Sequence, residues 1–156
     1  MAKNLYIDAE WFPNQEIFLI GYARENGLVE QLYSRSLNER RFLKVLNDTT
    51  GHIFFYGPDI ALCENHFGVD IRNYFDCVNL LRITRAFMPN AKSWKLEHME
   101  KIFRLDRGVA KYKRSIFQIY DDWKDPKYRK RVLQYNADVI RNRGVSFFIP
   151  YPEYKF

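Results

Sequence analysis

The sequence predicts an α/β fold with a mixed sheet, in a single domain covering residues 1–156, and three observations lead to that prediction. Apolar runs at 5–12, 17–23 and 28–33 are separated by short turns, which is typical of an antiparallel meander. Helical and extended patterns then alternate, as they do in α/β proteins. Hydrophobic residues make up 47% of the chain, which is enough for one core and argues against disorder.

Local signals mark the turns and the first helix. Pro13-Asn14-Gln15 is a turn between the first two strands, and Asn26-Gly27 is a strong hairpin signal between the second and third. A helix is expected to begin near Glu39, with either Ser36 or Asn38 as its cap. Its apolar face is formed by Phe42, Val45 and Leu46.

The rest of the chain is predicted to contain one more clear strand and mostly helices. The strand lies at 52–56, and a helix at about 60–67 follows it. Residues 74–80 fit either a strand or a helix. The remaining helices are expected at 83–87, at 94–103 after a cap at Ser93, at 115–123, and from Asp125-Pro126 to about 143, before an apolar tail at 145–156 that prolines interrupt.

The charge is unevenly distributed. The net charge of +6 divides into −4 for residues 1–78 and +10 for residues 79–156. A strongly basic half indicates an anionic partner, for which nucleic acid is the natural candidate. The alternative is a solvated basic surface with no partner.

The compartment is predicted to be intracellular. No apolar run approaches the length of a membrane span, and the N-terminus lacks a signal-peptide pattern. Cys63 and Cys77 are the only cysteines, which suits a reducing cytoplasm and argues against a zinc site. A protein partner or a homo-oligomer is left open.

Two acids stand side by side on the first strand. Asp8 and Glu10 are two residues apart and therefore share one face with Tyr6, while Ile7 and Ala9 point to the other. Adjacent carboxylates repel, so such a pair favours a hard divalent cation such as Mg²⁺ between them. The alternative is a solvated polar face.

Two further acids occupy informative positions. Asp59 lies where the strand at 52–56 passes into a helix. It is a candidate both for a functional role and for the cap of that helix, and the two roles can coexist. Asp138 lies three residues after Tyr135 on the last helix, beside an apolar stripe, where a carboxylate needs a partner. That partner is either a metal ion or a neighbouring arginine, of which Arg131, Arg141 and Arg143 are candidates.

The order of these motifs resembles a known family. The three motifs are Asp8-x-Glu10, Tyr56-Gly57-Pro58-Asp59 and Tyr135-Asn136-Ala137-Asp138. They resemble the DEDD 3′–5′ exonucleases, and most closely the branch similar to the proofreading domain of family-B DNA polymerases. The resemblance implies a ribonuclease-H-like fold, in which a five-stranded sheet has three antiparallel strands followed by parallel strands and is flanked by helices.

The resemblance also implies roles for individual residues. Two Mg²⁺ or Mn²⁺ ions would be held by Asp8, Glu10, Asp59 and Asp138, with Asp8 bridging both, and Tyr135 would hold the attacking water. The spacing from Tyr135 to Asp138 is three residues, whereas the family's is usually four. The alternative for Tyr135 is therefore an ordinary core residue.

The substrate contacts are predicted from the residues themselves, and the activity follows from the resemblance. Trp11 and Phe12 would stack on a terminal base, with core packing as the alternative. Lys111, Lys113 and Arg114 would follow the phosphates, with ordinary surface charge as the alternative. The predicted activity is that of a metal-dependent 3′–5′ exonuclease on single-stranded DNA or RNA. The alternatives are a ribonuclease-H-like structure-specific endonuclease and a catalytically weak nucleic-acid-binding subunit.

Overall fold

A computed structural model of the chain describes residues 1–105 and 116–148. Its centre is a five-stranded sheet in the order β3-β2-β1-β4-β5. The strands are β1 (Leu5–Trp11), β2 (Ile17–Ala23), β3 (Val29–Tyr33), β4 (Ile53–Phe55) and β5 (Cys77–Asn79). β1, β2 and β3 are antiparallel, whereas β4 and β5 run parallel to β1. The predicted α/β fold with a mixed sheet is confirmed.

The helices surround this sheet. Within the described residues they are α1 (Glu39–Asn47), α2 (Asp59–Phe67), α3 (Leu80–Phe87), α4 (Leu96–Ile102), α5 (Ile116–Lys124) and α6 (Arg129–Phe148). Asn38 caps α1 by accepting a hydrogen bond from the Arg41 backbone N–H at 3.0 Å, which decides between the two predicted caps. None of the described helices is both long and apolar enough to cross a membrane.

Side-chain alternation along β1 separates two layers. On one face, β1 and β2 pack against α1 and α2 in an apolar cluster that includes Ile7, Ala9, Ile20, Phe42 and Ile60. On the other face, α5 and α6 pack on β2 in a second cluster that includes Phe18, Leu19, Trp123 and Val132. α6 also crosses β1 and β3, so it covers the face of the sheet that carries Asp8.

Three of the predicted helix starts are wrong, and local hydrogen bonds explain each one. α6 begins at Arg129 because Asp125 and the residues after it close a turn, in which Asp125 Oδ1 accepts from the Lys127 N–H at 2.9 Å. Ser93 does not cap α4, since its hydroxyl accepts from the Lys95 N–H in a local turn. α3 begins earlier, at Leu80, because Asn79 caps it.

The last helix also ends later than predicted. α6 continues through Gly144 to Phe148, so part of the segment 145–156 is helical rather than an irregular tail. A glycine inside a helix costs only about 1 kcal/mol, which the rest of a long helix can offset. Residues 149–156 lie outside the described part of the chain.

Candidate active site

Two buried acids lie at the same edge of the sheet. β1 and β4 are parallel neighbours, paired at Leu5–Ile53 and Tyr6–Phe54, so their carboxyl ends meet. Asp8 follows the last of these pairs along β1 and is 5% exposed, and Asp59 follows β4 and is 1% exposed. Carboxylates this deeply buried are costly unless a compensating group lies near them.

The charges of both acids act on one buried thiol. Burial raises the pKa of Cys63 well above its usual value, and the charges of Asp59, Glu64 and Asp8 add to that shift. Cys63 lies one helical turn after Asp59 in α2 and belongs to the apolar cluster beneath the strands. Asp8 and Asp59 therefore create a common negative field at this edge of the sheet.

Asp59 is held by the loop that precedes it. The N-cap of α2 is Pro58, and Asp59 is the first helical residue, where its charge complements the positive end of the helix dipole. Gly57, at φ +81°, has the left-handed backbone that favours glycine. The Asn79 side chain accepts from the Gly57 N–H at 3.1 Å and donates to its carbonyl at 3.0 Å. This pair of hydrogen bonds, which the sequence did not reveal, fixes the loop that presents Asp59.

Glu10 lies on the same face of β1 as Asp8 but is only half-buried. It pairs with Leu19 across the sheet, next to a bulge between Glu10 and Trp11. Burial raises the pKa of Tyr120, and the charge of Glu10 adds to that effect. Glu10 thus faces the second cluster, next to α5.

Asp138 has an arginine partner on its own helix. Its Oδ1 accepts from Arg141 at 3.1 Å and from the Gln134 side chain at 3.0 Å. The ion pair is one of the alternatives that the sequence left open. Its other oxygen, Oδ2, is buried and has no hydrogen-bond partner within the described residues. A carboxylate oxygen in that position can accept a further ligand.

Tyr135 packs against the second cluster, beside Leu133. This is the core position that the sequence left open as its alternative. The side chain is half-buried, and the predicted role in holding water stays a prediction.

Asn136 is a helix residue that contacts Asp8, and the sequence analysis did not single it out. Asn136 is fully buried, and its Nδ2 donates to Asp8 Oδ2 at 2.8 Å. One signal could have found it. Gly21 interrupts the otherwise apolar strand β2, and an isolated glycine in a strand often marks a close approach.

The residues present match a divalent metal by ligand chemistry. Asp8, Glu10, Asp59 and Asp138 all offer carboxylate oxygens, the ligands that Mg²⁺ prefers. In the described part of the chain, Asp138 Oδ2 is buried and has no hydrogen-bond partner. No group of three or more histidine, cysteine or acidic side chains gathers into a metal-binding cluster in the described part of the chain. The four-carboxylate site therefore stays a prediction.

The predicted nucleic-acid contacts fall into two groups. Trp11 packs against the first cluster. Phe12 packs against Phe18, with ring centroids 4.5 Å apart, and lies 5.8 Å from the Lys124 ammonium. Both are half-buried, which agrees with the core-packing alternative. Lys111, Lys113 and Arg114 lie outside the described residues.

Comparison with known proteins supports the fold. A family model described as the RNase_H superfamily matches residues 5–143. The family B DNA polymerase from the archaeon Pyrobaculum calidifontis has a similar structure, with a TM-score of 0.73 and 17% sequence identity. The similarity covers 94% of this chain and 24% of the polymerase chain, so this chain spans about a quarter of that protein. No curated protein sequence matches significantly. Because the family model covers most of its length, the chain belongs to the RNase_H superfamily.

Proposed function

We propose that this protein is a metal-dependent 3′–5′ exonuclease that hydrolyses phosphodiester bonds at single-stranded nucleic-acid ends. Membership in the RNase_H superfamily supports nuclease activity in general. The observation that carries the proposal is the burial of two acids, Asp8 within β1 and Asp59 just after β4, on two strands that pair in parallel. Two buried anions would repel each other and an anionic phosphodiester, so the pair favours a cation-dependent reaction.

Asp8, Glu10, Asp59 and Asp138 would hold the two Mg²⁺ or Mn²⁺ ions. When bound, such ions supply an activated water and stabilise the leaving oxygen. The chain itself contributes rigidity, because the hydrogen bonds from Asn79 to Gly57 fix the loop before Asp59. Tyr135 would orient the attacking water through its hydroxyl group.

The basic second half of the chain would hold the nucleic acid. Its net charge of +10 would neutralise several phosphates, and binding should therefore weaken as salt increases. Trp11 and Phe12 would contact a terminal base, and Lys111, Lys113 and Arg114 the backbone. Within the described residues, Arg85 lies 5.7 Å from the Trp94 ring, which places a cation and an aromatic surface together.

A second candidate is a catalytically weak nucleic-acid-binding subunit. Two observations favour it. The Asn136 amide donates to Asp8 Oδ2, so one oxygen of this carboxylate already has a protein partner. The described residues also contain no group of three metal ligands. This candidate predicts salt-sensitive binding without metal-stimulated turnover.

The experiment that separates these functions uses single-stranded DNA and RNA labelled at the 5′ end, with Mg²⁺, with Mn²⁺ or with a chelator. We expect a metal-dependent ladder that shortens one nucleotide at a time from the 3′ end. A single internal cut would instead indicate a structure-specific endonuclease. Retarded but intact substrate would contradict both nuclease functions and support the binding subunit. Double-stranded substrate provides the matched control for the requirement for a single strand.

A further inference from the structure

Asn136 completes a polar row that crosses three strands. Asp8 on β1 pairs with Gly21 on β2, and Gly21 pairs with Gln31 on β3. Asn136, on α6, spans this row. Its Nδ2 donates to Asp8 Oδ2 at 2.8 Å and to the Asp8 carbonyl at 3.4 Å, while its Oδ1 accepts from Gln31 Nε2 at 3.0 Å. The amide therefore uses its donors on Asp8 and its acceptor on Gln31.

Gln31 fixes the orientation of this amide. A carboxylate can only accept hydrogen bonds, so the nitrogen of Asn136 must face Asp8 and its oxygen must face Gln31. Gln31 Nε2 also donates to the Leu133 carbonyl at 2.8 Å, which ties β3 to α6 one turn before Asn136. Asn136 thus has one orientation that satisfies both of its neighbours.

Gly21 supplies the space in which the amide lies. A Cβ atom at Gly21 would stand 2.0 Å from Asn136 Oδ1 and 2.9 Å from its Cγ, distances that real atoms do not adopt. Gly21 is not among the glycines with positive φ, so its backbone does not require glycine. The absence of a side chain at this position therefore serves the approach of Asn136.

The geometry points to Asn136 as a positioning residue that fixes the carboxylate of Asp8 for binding a divalent cation, with Gln31 and Gly21 as its support. This inference rests on the proposed function, in which Asp8 is a metal ligand. A carboxylate held by an amide N–H cannot rotate without losing that bond, and outer hydrogen bonds of this kind orient metal ligands. Their removal typically lowers metal affinity about 10–100-fold.

The test measures Mn²⁺ binding to the full chain by titration calorimetry, without substrate, for two variants. Asn136→Leu removes the amide and keeps a similar volume. Gly21→Ala removes no polar group from the chain, but its added methyl group displaces the Asn136 side chain. We expect the Kd for Mn²⁺ to rise about 10–100-fold in both variants, at a temperature where melting scans show each to be folded.

Gly51→Ala is the matched control. Its Cβ would also meet an asparagine oxygen, Asn4 Oδ1 at 2.3 Å, but at the amino end of β1, away from Asp8. It should lose stability and keep Mn²⁺ affinity. Equal loss of affinity in Gly51→Ala would mean that the affinity follows general stability, and would overturn the inference.

Two other outcomes separate this inference from the proposed function. Wild-type Mn²⁺ affinity in folded Asn136→Leu and Gly21→Ala would make Asn136 a packing residue only and leave the proposed function intact. If the wild-type chain binds no Mn²⁺ at all, the proposed function fails, and the inference fails with it.

Discussion

The two faces of strand β1 bury their side chains by different means. On one face, Ile7 and Ala9 pack in an apolar cluster, where their contacts are with other apolar side chains. On the other face, Asp8 is almost as deeply buried, and a specific amide from α6 meets one of its oxygens. Apolar burial is proportional to area and tolerates repacking, whereas a buried polar group needs a partner at a defined place. The difference indicates that the first face supports stability and the second supports a site.

The largest expected effect is a loss of activity in Asp8→Asn. This substitution lies on the face of β1 that carries Asp8, called the polar face below, whereas the face that carries Ile7 is the apolar face. Asparagine has the same shape and still offers an oxygen to the Asn136 amide, but it removes the charge that a metal ion requires. We expect nuclease activity to fall to the level of buffer alone. The melting temperature should hold or rise, because one anion of the buried pair with Asp59 is gone. The measurement is cleavage of labelled single-stranded DNA and RNA beside a melting scan. Near-normal activity would show that the polar face is not the site.

The next effect is on stability, from Ile7→Ala on the apolar face. Ile7 is fully buried, and truncation of a buried isoleucine to alanine typically costs about 2–5 kcal/mol. Cleavage per folded molecule should be retained well below the melting temperature. Urea denaturation gives the free energy of unfolding, and Ile7→Val, at about 0.5–1.5 kcal/mol, is the graded control. A loss of activity with no loss of stability would remove the distinction between the faces.

The smallest expected effect is a decrease in the free energy of unfolding at alkaline pH. Burial raises the pKa of Cys77 from 9.0 to about 11, and Cys63 is raised in the same direction. On the polar face, burial raises the pKa of Tyr6 from 10.0 to about 12. Unfolded thiols lose their protons near pH 9, whereas the folded ones keep them. The free energy of unfolding should therefore have its full value below pH 9 and decrease above pH 9. Between pH 9 and 10 the loss should come mainly from the thiols.

Urea denaturation at pH 8, 9 and 10 measures that slope. A double variant, Cys63→Ala with Cys77→Ala, should be less stable throughout but show a flatter decrease between pH 9 and 10. An unchanged slope in the double variant would assign the alkaline loss to other groups. Tyr6→Phe, which should flatten the curve only above pH 10, is the control on the polar face.

The sequence by itself determined the antiparallel meander of β1, β2 and β3 and the positions of Asp8 and Asp59 relative to the strands. Alternation along 5–12 separated Asp8 from Ile7, and Asn26-Gly27 marked the hairpin. The positions of Asp8 within the first strand and of Asp59 just after a later strand followed from the sequence, and the parallel pairing of β1 with β4 brings these two strands side by side. These features depend on periods of two and on local turn chemistry, which neighbouring residues encode.

Only the tertiary structure decided that Asn136 of α6 meets Asp8. The motif that ends at Asp138 pointed to this helix, and the packed helix presents Asn136 to Asp8 and pairs Asp138 with Arg141. The predicted role of Asp138 as a metal ligand stays a prediction. Two residues along a helix differ by about 200° of rotation, so a small change in how the helix packs exchanges one side chain for another. The hollow at Gly21 and the amide of Gln31 set that rotation, and both lie more than a hundred positions away in the sequence. No local pattern carries contacts of that range, which is why the sequence could identify the helix but not its orientation.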